Sequence, residues 1–181
     1  PVRDAISWQD GAADFLGGQK HYWENQKAFF VPNLLCFASE GKTFYYGAIG
    51  ARFKNWAPWH STEDREEIPQ DMRTVLKSAE RLLHPKTLLE ILQSFVVFST
   101  VKQGEGKPSF KIKILPRYPQ YEAAKAIVER VKTQDARQGL IWHFQGSGKS
   151  LLMLFAAQML KADPDLKNPS FESFFKVCLN L

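Results

Sequence analysis

The chain has 181 residues, 44% of them hydrophobic and 24% charged, a balance that suits a folded protein and excludes a disordered one. Its formal net charge of +5 is compatible with a polyanionic partner, yet the basic residues are scattered and form no dense run. No apolar stretch reaches the length of a membrane span, no signal peptide opens the sequence, and Cys36 and Cys178 belong to no C-x-x-C pair, which argues against zinc and disulfide frameworks and for a reducing cytoplasmic setting.

The first residue is Pro1, in what reads as mid-domain sequence, so a piece of a longer protein is expected. Up to about Trp59 the chain is aromatic-rich. A helix starting near Ala12 would be interrupted at Gly17-Gly18. Phe29-Phe30-Val31 and Leu34-Leu35-Cys36-Phe37-Ala38 read as strand material broken by Pro32-Asn33, and Glu40-Gly41-Lys42 as the turn before a returning strand, Thr43-Phe44-Tyr45-Tyr46-Gly47. Trp8, Trp23, Trp56 and Trp59 suit packing on this sheet better than stacking on bases. Residues 60–98 read as mainly helical, with capping residues at Ser61-Thr62-Glu63-Asp64 and a second helix opening on Pro85 and burying Leu88, Leu89, Ile91, Leu92, Phe95 and Val96. His21, His60 and His84 lack metal-ligand spacing, and Glu66-Glu67 reads as a solvated helix face.

Gln103-Gly104-Glu105-Gly106-Lys107-Pro108 reads as a linker, and a domain boundary is expected on it. Beyond it come an alternating strand at 110–115, a helix that tolerates Pro119 near its start and turns Ala124, Ile127, Val128 and Val131 to one side, and a short buried strand, Gly139-Leu140-Ile141-Trp142-His143. Directly after that strand stands Gly146-Ser147-Gly148-Lys149-Ser150, followed by a helix at 151–160. Helix, strand, loop, helix is the opening of an α/β sheet.

A triphosphate concentrates negative charge, and backbone N–H groups at a helix N-terminus meet that charge at little desolvation cost. The amides from Gln145 to Lys149 are expected to curl around phosphate, with Gly146 and Gly148 bare for close approach, Lys149 reaching the β and γ phosphates, and the Ser150 hydroxyl ligating magnesium. A glycine-rich turn capping an ordinary helix is the plainer alternative; the strand-to-helix context favours the phosphate reading. His143 stands where G-x-x-x-x-G-K-[ST] has its first glycine, and both it and Gln145 read as shaping the strand end rather than as catalytic groups.

Together with Arg117-Tyr118-Pro119-Gln120, the run Gly139-Leu140-Ile141-Trp142-His143-Phe144-Gln145-Gly146-Ser147-Gly148-Lys149-Ser150 resembles helicase motif I in the restriction (R) subunit of type I restriction–modification enzymes, a superfamily 2 motor in which the His is unsurprising. The resemblance implies that Gln120 recognises the adenine edge with Arg117 and Tyr118 flanking the nucleotide, a task that suits an amide able both to donate and to accept. It also implies an α/β fold: the C-terminal part of a PD-(D/E)xK-type nuclease domain over 1–83, a helical connector and linker over 84–115, the opening elements of a RecA-like P-loop domain over 116–169, and a divergent tail over 170–181. The Gln19-Lys20-His21-Tyr22 stretch is one residue short of the Gln-x-x-x-Tyr element of such nucleases. ATP and magnesium are the implied cofactors. DNA and the modification and specificity subunits of the same system are the implied partners, with no membrane. No acid after Ser150 follows an apolar strand, since Asp163 and Asp165 lie in a proline-broken loop, and no nuclease acids are recognised. No catalytic set is complete, so this chain alone is expected neither to translocate nor to cut DNA. An unrelated P-loop NTPase or kinase, and an inactive remnant that at most binds a partner, are the alternatives.

Overall fold

The computed structural model describes residues 7–13, 25, 27–30, 32–49, 51–60, 71–101, 109–133 and 146–165. The readings made on Gly17-Gly18, Gln19-Lys20-His21-Tyr22, Trp23, Ser61-Thr62-Glu63-Asp64, Glu66-Glu67, residues 103–108, the strand at 139–143, Gln145 and the tail from 170 onward lie outside the described residues.

Strands β1 (Cys36–Ser39) and β2 (Phe44–Gly47) form the expected antiparallel hairpin, with Cys36 opposite Gly47 and Ser39 opposite Phe44, and β3 (Ala57–Pro58) adds to the other side of β2. The turn contains Gly41 at φ 86°, a left-handed conformation that suits glycine. Phe44 and Tyr46 turn inward from β2, and Tyr45, on the other face, stacks on Trp8 of the helical residues 8–13 (α1) at 4.2 Å. The Trp56 ring lies so close to Gly47 that a Cβ there would stand 2.8 Å from it. Phe29-Phe30-Val31 does not supply a strand: Lys27–Phe30 is a 3-10 turn, and Asn33 N–H returns to the Phe30 carbonyl at 3.2 Å. The turn at Pro32-Asn33 overrides the β-propensity of a short aromatic run.

Helix α2 (Met72–Leu83) starts on Asp71, whose carboxylate accepts the Thr74 N–H at 2.8 Å, and buries Val75, Ser78 and Leu82 at helical spacing. Helix α3 (Pro85–Glu90) carries proline in its first turn, as expected, then widens into a π turn over Ile91–Phe95. Here the expected buried face is only partly right. Ile91 and Phe95 are buried, whereas Leu89 and Leu92 are 63% and 56% exposed. Apolar residues so closely spaced go around more than one side of a helix, and one side alone meets the core. Val96 leaves the helix in an extended conformation, and β4 (Val97–Val101) follows inside and beyond the stretch read as helical. Its alternation of half-buried and exposed residues is the period of a strand. β4 pairs antiparallel with β5 (Phe110–Ile114), Val97 opposite Ile114 and Val101 opposite Phe110, so the strands flanking residues 102–108 belong to one two-stranded sheet.

Helices α4 (Tyr118–Thr133) and α5 (Lys149–Ala162) complete the described residues. Ala124, Ile127 and Val128 of α4 are buried as their spacing requires, and Val131 is packed against the same core. One core unites Phe44, Tyr46 and Trp59 of the sheet region, Leu82 of α2, Phe95 of the π turn, and the inward faces of α4 and α5. Phe95 and Phe155 are fully buried with ring centroids 5.2 Å apart, and each such side chain contributes about 1.5–3 kcal/mol by leaving water. Among the described residues, no helix is long and apolar enough to cross a membrane.

Candidate functional site

The turn entering α5 is built on two left-handed glycines, Gly146 at φ 78° and Gly148 at φ 84°. Gly148 occupies the N-cap position and has no side chain to cap the helix. The N–H groups of Leu151 and Leu152 return to its carbonyl at 3.0 and 3.1 Å, while the first amides of any α-helix have no acceptor within the helix. Lys149 is half-buried and Ser150 exposed on the first turn. The Ser147 hydroxyl is buried without a hydrogen-bond partner among the described residues, a polar group placed to receive one from a ligand. Leu152, Phe155, Ala156 and Leu160 seat the helix behind this turn in the core, which fixes the direction of its N-terminus.

Gln120, in the first turn of α4, is only 4% exposed. Its Nε2 donates to the carbonyls of Ser147 at 3.0 Å and Gly148 at 3.3 Å, and its Oε1 accepts the Arg117 N–H at 2.9 Å. The carboxamide thus braces the glycine turn against the start of α4. Oε1 retains a second lone pair for a further donor. A Cβ on Gly148 would collide with Gln120 Nε2, so the contact itself requires glycine. At the far ends of the helices, Lys132 Nζ meets Asp163 Oδ2 at 2.5 Å. With Gln120 joining their N-termini and this ion pair joining their C-terminal ends, α4 and α5 run side by side in the same direction, and the positive ends of both dipoles converge on the glycine turn.

A cavity of about 540 Å³ opens there, lined by Gly146, Ser147, Gly148, Arg117 and Gln120 on one side and by residues 46–57 and the β4–β5 hairpin on the other. The second wall brings Arg52, Lys54 and Lys113, none of which the sequence reading singled out. Burial lowers the Lys113 ammonium from its ordinary pKa, and its Nζ donates to the Asn33 carbonyl at 2.5 Å. The Tyr46 hydroxyl donates to the Pro116 carbonyl and ties β2 to the residue before Arg117; burial pushes that phenol well above its usual range. Tyr118 faces away from this cavity. It lines an open cleft of about 680 Å³ with Lys77, Arg81 and Tyr121, its ring edge-on to Trp59 at 4.9 Å. The structure therefore gathers Arg117, Gln120, Gly146, Ser147 and Gly148 around one cavity, sets Tyr118 behind it, and leaves Lys149 and Ser150 on the first turn of α5 outside its lining.

A SWI2/SNF2 ATPase family model matches residues 119–171, which include Gln120 and the whole glycine turn. The endonuclease subunit of the type I restriction enzyme HindI from Haemophilus influenzae is 31% identical over 159 residues, covering 82% of this chain. The chain is a relative of type I restriction endonuclease subunits. Two putative subunits of that kind from Methanocaldococcus jannaschii agree: MjaVIIIP is 33% identical over 119 residues, 62% of this chain, and MjaVIIP is 39% identical over 80 residues, 42% of it. The chain spans 14%, 11% and 7% of the lengths of these three relatives. No solved structure matches it.

In this restriction-subunit relative, the chemistry on hand suits binding a polyanion: the N-terminus of α5 with no side-chain cap, a Ser147 hydroxyl with no partner among the described residues, a lysine on the first turn and further cations across the cavity. Among the described residues that line it there is no acid. Asp163 is held by Lys132, and no three His, Cys, Asp or Glu side chains cluster to hold a metal among the described residues.

Proposed function

We propose that this chain binds ATP with magnesium as the nucleotide-binding part of a type I restriction endonuclease motor subunit. One observation carries the reading: the Gly146–Ser150 turn enters α5 through two left-handed glycines with no side-chain cap, and Gln120 holds it open toward a cavity of nucleotide size. The amides from Gln145 to Lys149 and the Lys149 ammonium would take the phosphates, and the orphaned Ser147 hydroxyl fits the same acceptors. The Ser150 hydroxyl would hold magnesium, which supplies charge neutralisation between phosphates when bound. Gln120 would offer its remaining lone pair to the adenine amino group, Arg117 would flank the nucleotide from the cavity wall, and Tyr118 would back the same turn from behind.

The wider assignment follows from the kinship. Residues 1–83 would be nuclease-like, 84–115 a connector, 116–169 the start of a RecA-like domain and 170–181 a divergent tail. The parallel α4 and α5 support the RecA-like part, because parallel neighbours need a crossing segment between them. DNA and the modification and specificity subunits would be the partners, in the cytoplasm. Since no acid after Ser150 follows an apolar strand, this chain alone would bind nucleotide without hydrolysing it.

Titration with a fluorescent ATP analogue tests the reading. Saturable, magnesium-dependent binding is expected, lost in Lys149→Ala, with preference for ATP over GTP erased in Gln120→Ala. Binding indifferent to Lys149→Ala would overturn the phosphate assignment, and equal affinity for GTP and ATP in the unaltered chain would overturn the adenine assignment.

A further inference from the structure

Glu90 is the last residue of α3, at the point where the helix widens into its π turn. Its Oε2 accepts from the Tyr121 hydroxyl and from Lys125 Nζ, the latter at 3.0 Å. Lys125 Nζ also stands 3.1 Å from the Tyr121 hydroxyl and 4.9 Å from the centre of its ring. Tyr121 is 8% exposed, with Phe95 against its ring at 5.1 Å and Phe155 on the far side of Phe95. The Glu90 carboxylate and the Lys125 ammonium therefore clamp the one aromatic side chain that adjoins Gln120 in sequence. Gln120 and Tyr121 both return their N–H groups to the Arg117 carbonyl, at 2.9 and 3.0 Å, so the first turn of α4 moves as a unit.

We propose that Glu90 is a positioning residue for the nucleotide site: by holding the Tyr121 hydroxyl it sets the first turn of α4, and with it the Gln120 carboxamide that braces the Ser147 and Gly148 carbonyls. The inference rests on the nucleotide-binding reading for its purpose and on these hydrogen bonds for its mechanics. Isolated surface ion pairs contribute little, and Glu90 with Lys125 alone would be of that kind. The hydroxyl of a buried tyrosine is what makes the clamp directional. It joins the α3–π segment, which also packs on α5 through Phe95 and Phe155, to the residue next to the one that braces the glycine turn. Coupling of this sort is established only by showing that one group acts through the other.

The experiment uses the full 181-residue chain carrying Tyr121→Phe or Glu90→Gln, each alone and combined with Gln120→Ala. Amide hydrogen exchange over residues 146–152, measured without nucleotide, reads the brace directly; the ratio of ATP to GTP affinity reads the orientation of Gln120. Tyr121→Phe, which keeps the ring, is expected to speed exchange over 146–152 about fivefold and to lower the ATP to GTP ratio by a similar factor, with a smaller change in Glu90→Gln, whose amide still accepts the phenol. In the Gln120→Ala background neither substitution should change exchange further. Lys132→Ala, which breaks the other ion pair on α4, should leave exchange over 146–152 as it was. Equal acceleration by Lys132→Ala, or full additivity with Gln120→Ala, would overturn the proposal in favour of general helix loosening. The exchange arm needs no ligand, so a chain that failed to bind ATP would sink the nucleotide reading while the clamp was still judged on exchange alone.

Discussion

Helices α2 and α5 begin in opposite ways. α2 starts on Asp71, whose carboxylate accepts the Thr74 N–H and so caps the helix from within its own segment. α5 starts on Gly148, left-handed and bare, and its brace is supplied from another helix through carbonyls rather than amides. Both starts are orderly. The difference is that the second start is held through its carbonyls by another helix and has no side-chain cap, whereas the first is capped on an amide by its own neighbour. That separates α5 from α2 although both pack on the same core, and the proposed anion site depends on it.

The comparison can be broken at five points. Phe155→Ala should produce the largest effect, about 3–5 kcal/mol of lost stability in urea denaturation, because the ring is wholly buried behind the turn. A small loss would mean that α5 is not anchored as described. Lys149→Ala should weaken ATP binding about 100-fold in titration while shifting stability by less than about 0.5 kcal/mol. Gly146→Ala and Gly148→Ala sharpen the point, since both place a side chain at positive φ and should lose about 1–2 kcal/mol by denaturation. Both variants should weaken ATP binding about tenfold, but only at Gly148 does the new Cβ meet Gln120, so only Gly148→Ala should also erase the preference for ATP over GTP.

Glu90 gives a pH test. Burial opposes its ionisation, but the Tyr121 hydroxyl and the Lys125 and Lys86 charges outweigh it, so the carboxyl titrates below its usual 4.5. A depressed folded value contributes stability that is present above the unfolded value and lost as pH falls through the folded one. The stability difference between the unaltered chain and Glu90→Gln, read from denaturation midpoints, should therefore be constant near neutrality and shrink below pH 4.5. Smallest of all, Asp71→Ala should lower the melting temperature slightly and leave ATP affinity untouched; a loss of affinity there would erase the distinction between the two helix starts.

Much of this was legible in the residues. The β1–β2 hairpin follows from alternation around Gly41, and α4 and α5 follow from helical spacing and from proline and glycine at their starts. The glycine turn was readable because two glycines at close local spacing ahead of a helical run mark a left-handed helix entry, which Gly146 and Gly148 supply. What was not legible is long-range. Nothing near Gln120 in sequence says that its amide reaches Ser147 and Gly148, and nothing near Arg52 or Lys54 says that they stand across a cavity from Arg117. β4 was concealed for a different reason: the apolar run of α3 continues into Val96-Val97, and the change from helical to alternating period becomes apparent only past Phe95. Nor does the motif say that Tyr118, two helical positions and so about 200° from Gln120, lines a different cleft.

The stitch from the Tyr46 hydroxyl to the Pro116 carbonyl has a practical consequence. The cavity takes one wall from Tyr46, Arg52 and the β4–β5 strands, so an excised piece starting at residue 116 would keep the glycine turn and Gln120 and still lack half the pocket, together with the Trp59 and Phe95 surfaces beneath its two helices. Such a minimal unit should emerge as an aggregating stub, and the loop would become a working receptor only once the aromatic sheet ahead of it had already been assembled.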